Sequence, residues 1–253
     1  MRCRTSKVRL HWSHSYSYVG INLANTLRSG LSRRLGALSL ALGLLVAACS
    51  SSAQKKEADV RRLHARALYE QALNNLGEKR VSLGLSALKQ AIELDPDSAL
   101  YRNALGVVYL DLRRPAEAQA ELEKAVQLDP GFAEAQHNLG LSSAEQGRLA
   151  DAVTAYRRAL AIPTYTTPEV AYHNLGNAYF LMGKLREAAE AYQAALQLDP
   201  KQVGSLYSLG VVLVREGRRE EAKAAFRSAR EMAPSSPFGQ AASEALKNLG
   251  EGG

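Results

Sequence analysis

One cysteine stands where its thiol could be chemically modified. Cys49 follows the uncharged apolar run "LGALSLALGLLVAA" (35–48) and precedes the polar stretch "SSSAQKK". An unpaired cysteine is usually a small buried residue, but the polar stretch offers no apolar surface to pack against it. A disulfide with Cys3, the only other cysteine, needs both residues in one mature chain. Covalent modification of the Cys49 thiol is the remaining interpretation.

The residues before Cys49 have the order of a secretory signal peptide. Arg33 and Arg34 precede the apolar run, which is shorter than the roughly 20 residues of a membrane-spanning helix. The box "VAAC" (46–49) resembles the bacterial lipobox, whose cysteine receives a diacylglycerol and becomes the new N-terminus. We therefore predict a leader and lipoprotein signal peptide over 1–48, followed by a lipidated N-terminus and flexible tether over 49–60.

The charge of the chain resides in this leader. The whole sequence has a formal charge of +7, but residues 1–48 hold seven basic residues and no acidic one. This leaves 25 basic and 25 acidic residues in 49–253, so the mature chain is neutral. Nucleic-acid binding requires clustered positive charge, and we expect no nucleic-acid partner.

The remaining candidates for chemistry are two histidines. His137 and His173 each lie three residues before a glycine of a repeated Leu-Gly pair. A metal shared between them is conceivable, but no carboxylate or cysteine is placed to complete the site, and a polar lining is the favoured interpretation. No phosphate-binding loop or nucleophile–base pair has recognisable spacing. The sequence predicts a scaffold that is not an enzyme and has no cofactor, no metal and no small-molecule substrate.

A repeat of about 34 residues positions these side chains. The Leu-Gly glycines are followed after 12 residues by alanine, after 16 by a large apolar residue, and after 19 by alanine. The members of this register are Gly106, Gly140, Gly176 and Gly210; Ala118, Ala152, Ala188 and Ala222; Leu122, Tyr156, Tyr192 and Phe226; and Ala125, Ala159, Ala195 and Ala229. The period and the small–large–small pattern are those of the tetratricopeptide repeat, a pair of antiparallel helices.

The predicted fold is an all-α tetratricopeptide-repeat superhelical solenoid. Five repeats occupy 61–236, with boundaries near 65–98, 99–132, 133–168, 169–202 and 203–236, and 237–253 form a capping helix and tail. The large residue of each repeat is expected to fill the space between repeats. "IPTYTTPE" (162–169) is a lengthened turn, and the cap is expected to bury Phe238, Ala241, Ala245 and Leu249.

Because chemistry is absent, function is expected from the groove lined by the first helices. Residues spaced by three and four positions share one helical face. The predicted partner-binding residues are Asn103, Val107, Leu110, His137, Leu141, His173, Asn177, Phe180, Tyr207 and Val211. This lining suits an extended, partly apolar protein segment or a sheet edge.

A lipobox cysteine followed by about five tetratricopeptide repeats resembles the pilotin lipoproteins of type IV pili, the PilF/PilW/Tgl group. The resemblance covers roughly residues 43–240 and includes the longer turn "IPTYTTPEVAYHNLG" (162–176). Members of that group have six repeats, whereas this sequence has five and a cap, which leaves the extent of the partner surface open.

The resemblance implies a lipid-anchored protein of the outer membrane that faces the periplasm. It implies secretin subunits as partners, and a role in their outer-membrane localisation and oligomerisation during pilus assembly. Ser50 after the lipidated cysteine fits outer-membrane sorting. An alternative is a general adaptor lipoprotein that recruits cell-wall hydrolases or outer-membrane assembly factors.

Overall fold

A computed structural model describes residues 54–251 of the chain. It divides the chain into two units, Met1–Val60 and Arg61–Gly253, and the tertiary structure described below is that of the second. The helices are α1 (54–77), α2 (Val81–Leu94), α3 (Ala99–Asp111), α4 (Pro115–Leu128), α5 (Ala133–Glu145), α6 (Leu149–Leu160), α7 (Pro168–Leu181), α8 (Leu185–Leu198), α9 (Val203–Arg215), α10 (Arg219–Met232) and α11 (Pro237–Asn248).

Within residues 54–251, the helices form five consecutive pairs with one additional helix at the C-terminal end. From α2 onward, each helix packs against the next one along the chain, as in a solenoid. The first helices α3, α5, α7 and α9 also pack against one another in sequence, whereas the second helices pack chiefly against first helices. The first helices therefore form the inner wall of the solenoid, and the all-α repeat fold predicted from the sequence is confirmed.

Each pair is joined tightly because small residues lie at the helix crossing. A Cβ atom added to Gly176 would lie 2.6 Å from Cε1 of Tyr192, and one added to Gly210 would lie 2.6 Å from Cε1 of Phe226. Both partners are almost fully buried. The large residue thus packs against the glycine of its own repeat. Tyr192 also lies beside Tyr207, Ser208 and Val211 of the next repeat, so the expectation that the large residue fills the space between repeats is confirmed there. The glycine lies on the first helix of the pair and the large residue lies 16 positions later on the second. Because the two helices are antiparallel, this separation brings the two residues side by side.

The N-terminal helix is longer than the sequence suggested. We predicted a flexible tether over 49–60, but the chain is already helical at residue 54. The segment from Lys55 onward is rich in alanine, glutamate, lysine and arginine, which have high helix propensity. Farther along the same helix, Arg66 and Glu70 form an i, i+4 salt bridge of 3.1 Å.

The capping helix buries a face that only partly coincides with the one predicted, because Ala245 and Leu249 pack against the core as expected but are not its most buried residues. Its most buried residues are Gly239, Ala242 and Leu246, whereas Phe238 is exposed. A Cβ atom on Gly239 would lie 2.0 Å from the carbonyl oxygen of Ala233, so this glycine permits a close approach to the preceding turn. The helix packs on α9 and α10, at the end of the array.

The hydrophobic core is interrupted at α5. One buried cluster extends from Ala72 to Leu122 and another from Ala152 to Leu246, and α5 contributes no fully buried residue to either. The buried polar residues of this helix are Gln136, His137, Ser142 and Ser143. A smaller apolar cluster of Ala133, Ala159, Tyr165 and Ala171 lies in this region, so the middle of the solenoid combines apolar packing with buried polar side chains.

Candidate functional site

The predicted groove residues lie on the first helices that form the inner wall. Nine of the ten are half-buried, as expected for side chains that line a surface groove, and His137 is buried. Seven of them line two separate depressions, one at each end of the wall. Whether they bind a partner stays a prediction, but the structure shows which of them are accessible.

The first depression, which we call the Tyr207 pocket, lies between α7 and α9 and has a volume of about 380 Å³. Its lining consists of Asn177, Phe180, Tyr192, Tyr207, Ser208, Val211 and Arg215. The ring of Tyr207 lies 5.7 Å from that of Phe226 and 5.8 Å from that of Phe238, between centroids. Tyr207 therefore both lines the pocket and packs against the core.

Polar groups at the edge of the Tyr207 pocket have fixed positions. The hydroxyl of Tyr192 donates a 2.7 Å hydrogen bond to Oδ1 of Asn177, which leaves the amide NH₂ group of Asn177 for another acceptor. Burial raises the pKa of Tyr192 to about 12, so its hydroxyl remains a donor at neutral pH. The guanidinium of Arg215 stacks over the ring of Phe180 at 4.2 Å.

The second depression, the Leu141 pocket, lies between α3 and α5 and has a volume of about 300 Å³. It is lined by Val107, Leu110, Asp111, Arg113, Asn138, Leu141 and Glu145. Nη1 of Arg113 lies 2.9 Å from Oε1 of Glu145. Next to the pocket, Nδ2 of Asn138 donates a 2.9 Å hydrogen bond to Oδ1 of Asn103. Each of the two pockets thus has an apolar floor of its own, and the two differ in the charged residues at their rims.

His137 is buried and makes a hydrogen bond within the fold. It is 8% exposed, and its Nδ1 lies 2.8 Å from the hydroxyl of Tyr165. Burial lowers its pKa from 6.5 to about 4, so the imidazole is neutral at physiological pH. The lengthened turn places Tyr165 there, a contact that we did not predict. The only signal for it was an aromatic residue within an otherwise polar turn.

His173 has the equivalent position in the next repeat and a different partner. Its Nδ1 lies 2.8 Å from Oγ of Ser205, and burial lowers its pKa. The two histidines therefore bond to different neighbours and share no ligand site. Within residues 54–251, no group of three or more His, Cys, Asp or Glu side chains could hold a metal ion.

The predicted lipidation site, Cys49, lies outside the residues that the structure describes. Within 54–251, no helix has the length and apolar character needed to cross a membrane. Lipidation of Cys49 therefore stays a prediction from the sequence.

Profiles described as "Tetratricopeptide repeat" match residues 69–131, 103–165 and 203–236, and one described as "TPR repeat" matches residues 176–217. A comparison with curated protein sequences gives no significant match.

Several solved structures have the same fold. MamA is 29% identical with a TM-score of 0.60, over 64% of this chain and 94% of MamA. PilF of Pseudomonas aeruginosa is 23% identical with a TM-score of 0.62, over 76% of this chain and 95% of that protein. PilW, described as a widely conserved type IV pilus biogenesis factor, is 21% identical with a TM-score of 0.66, over 74% and 88%. At these identities PilF and PilW establish the fold alone.

Proposed function

Because the chain belongs to the tetratricopeptide repeat family, we propose that it is a protein-binding scaffold of type IV pilus assembly. It is an outer-membrane lipoprotein, anchored through lipid on Cys49 and facing the periplasm. Its inner wall binds secretin subunits and promotes their outer-membrane localisation and oligomerisation. The lipid and the groove have separate roles: the first fixes the location, and the second selects the partner.

The observation that carries this proposal is the Tyr207 pocket. It combines an apolar floor with a few oriented polar groups, the usual composition of a preformed binding site. Because Tyr192 already orients Asn177 and Phe180 already orients Arg215, little side-chain entropy is lost when a partner binds. A volume of about 380 Å³ accommodates individual side chains of a protein segment.

Two further points support the pilus assignment. The lipobox-like "VAAC" before a short array of repeats is the arrangement that resembles the pilotin group. The fold is shared with PilF and with PilW, and the latter is described as a pilus biogenesis factor. Neither point identifies secretin directly, which is why the decisive experiment tests secretin as the partner.

The experiment is crosslinking of the protein in cells of its source bacterium, followed by identification of partners and a direct pull-down of secretin. Val211→Asp places a carboxylate in the pocket and should reduce secretin recovery at least tenfold. Gln193→Asp, which adds the same charge at an exposed site on α8, should leave recovery unchanged. Cells without the protein should contain fewer secretin multimers in the outer membrane. Expression of Gln193→Asp should restore the multimers, and expression of Val211→Asp should not.

Normal secretin recovery and multimers with Val211→Asp would place the contact elsewhere on the solenoid. Absence of secretin from the crosslinked products would refute the proposed function. Recovery of cell-wall hydrolases or outer-membrane assembly factors in its place would identify the alternative adaptor role.

A further inference from the structure

The inner wall carries a gradient of charge that the repeat register makes visible. The residues five positions after each crossing glycine come from the last turn of each first helix and occupy equivalent places along the wall. From the N-terminal to the C-terminal end they are Asp111, Glu145, Leu181 and Arg215. One position of the repeat thus changes from acidic to apolar to basic along the array.

The N-terminal end of the wall is net negative. Asp111 and Glu145 both line the Leu141 pocket, together with a single cation, Arg113. Arg113 pairs with Glu145 at 2.9 Å. No salt bridge to Asp111 occurs within the described part of the chain, and this carboxylate is exposed. A cationic side chain seated in the Leu141 pocket would meet this free carboxylate.

The C-terminal end of the wall is positive. Arg215 is the only charged residue that lines the Tyr207 pocket, and none of the salt bridges in 54–251 involves it. Its guanidinium lies over the ring of Phe180, with Cζ 4.2 Å from the centroid, and a guanidinium placed on an aromatic ring keeps its N–H groups available to an acceptor. These groups match a carboxylate in bidentate geometry. Between the two ends, Leu181 is 68% exposed and adds an apolar ridge.

On this basis, and resting on the proposed function, we propose that the partner binds as an extended segment with a basic residue at the Leu141 pocket and an acidic residue at Arg215. Apolar side chains occupy the interval between them. Adjacent packed helices lie about 8–10 Å apart, so α5 and α9 are separated by roughly 20 Å. At about 3.3 Å per residue of extended chain, the two charged residues lie about six positions apart. Complementary charges at two ends fix the direction and register of such a segment.

The test uses the full-length protein in detergent and nine-residue peptides labelled with a fluorophore. The parent peptide has a lysine and a glutamate six positions apart with leucine, phenylalanine and serine between them. In two further peptides, either the lysine or the glutamate is replaced by glutamine. Arg215→Gln should weaken binding of glutamate-bearing peptides about threefold at low salt and leave the peptide without glutamate unchanged. Asp111→Asn should have the same selective effect on lysine-bearing peptides.

Arg219→Gln is the matched control, because it removes the same charge from an exposed site on α10. It should weaken no peptide selectively. Equal losses for all peptides with Arg215→Gln, or no binding of any peptide, would overturn the inference. Pull-down of secretin distinguishes failure of this inference from failure of the proposed function. If Arg215→Glu and Asp111→Lys both leave secretin binding unchanged, only the recognition of charged partner residues at these two positions is refuted. Charge-selective peptide binding without secretin binding refutes only the secretin assignment.

Discussion

Acidification should destabilise the protein through His137. The imidazole is buried between α5 and the lengthened turn, with the hydroxyl of Tyr165 at 2.8 Å from Nδ1 and the ring of Tyr156 at 5.5 Å between centroids. Glu134 is the nearby charge that favours protonation, but desolvation dominates and lowers the pKa to about 4. In the unfolded chain the same group should titrate near 6.5. The unfolded state therefore binds this proton more readily than the folded state.

The sign and the size of the change in the free energy of unfolding with pH follow from this difference in pKa. The contribution of neutral His137 to the free energy of unfolding is complete above pH 6.5, decreases as the pH falls below 6.5, and levels off near pH 4. Because one pKa unit corresponds to 1.36 kcal/mol, the total loss is about 3 kcal/mol, of which about 2 kcal/mol is already lost at pH 5. A loss of this size is a large fraction of the stability of a typical domain.

The assay is urea unfolding of the wild type and of His137→Asn at several pH values between 7.5 and 4. Asparagine is the residue at the equivalent place in the preceding repeat, Asn103, so the variant should fold. Carboxylates and His173 titrate in both proteins, and the difference between the two curves isolates His137. The stability of the wild type relative to the variant should fall by about 2 kcal/mol from pH 7.5 to pH 5. Parallel curves would show that His137 is not desolvated in the folded protein, and the argument from burial would be refuted.

Three further predictions concern the crossing, the polar centre and the lipid. Gly176→Leu should lower the free energy of unfolding by about 1–3 kcal/mol or more, because its Cβ alone would lie 2.6 Å from Tyr192. Gln193→Leu, at an exposed site, should change the free energy of unfolding little. Equal melting temperatures for the two variants would contradict the assigned register. Gln136→Leu should raise the free energy of unfolding by about 1 kcal/mol in urea titrations, because the buried Oε1 of Gln136 has no hydrogen-bond partner within residues 54–251, and a decrease would show that this oxygen is satisfied. Cys49→Ser should release the protein from outer-membrane fractions while the repeats still fold, and unchanged fractionation would refute the lipobox interpretation.

The sequence predicted the pairing of the helices because the register is carried by residue size. Glycine at a crossing and a large residue 16 positions later are visible without any structure, and the contact of Gly210 with Phe226 shows that they meet. The sequence could not show that they meet within one repeat. A spacing of 16 is compatible with contact on either side of the second helix, and only the path of the turn decides between them.

The errors occurred where one local contact overrides the periodic pattern. In α11 the apolar stripe containing Phe238 is regular, but Gly239 is buried against the carbonyl of Ala233, where a Cβ atom would not fit, and Phe238 next to it is exposed. At the lengthened turn, Tyr165 reaches a histidine 28 residues earlier in the chain. Neither contact repeats elsewhere in the array, so periodicity contains no information about it.

The same reasoning separates packing from recognition within this single chain. Where the repeats keep one residue type, as at the crossing glycine, the position serves contacts that every repeat must make. The place five residues later has no such constraint, and it changes from Asp111 through Leu181 to Arg215. These side chains are exposed on the inner wall and differ in charge from repeat to repeat. A partner that contacts several repeats at once can therefore read their order, which is how a scaffold of nearly identical units acquires a binding surface with a direction.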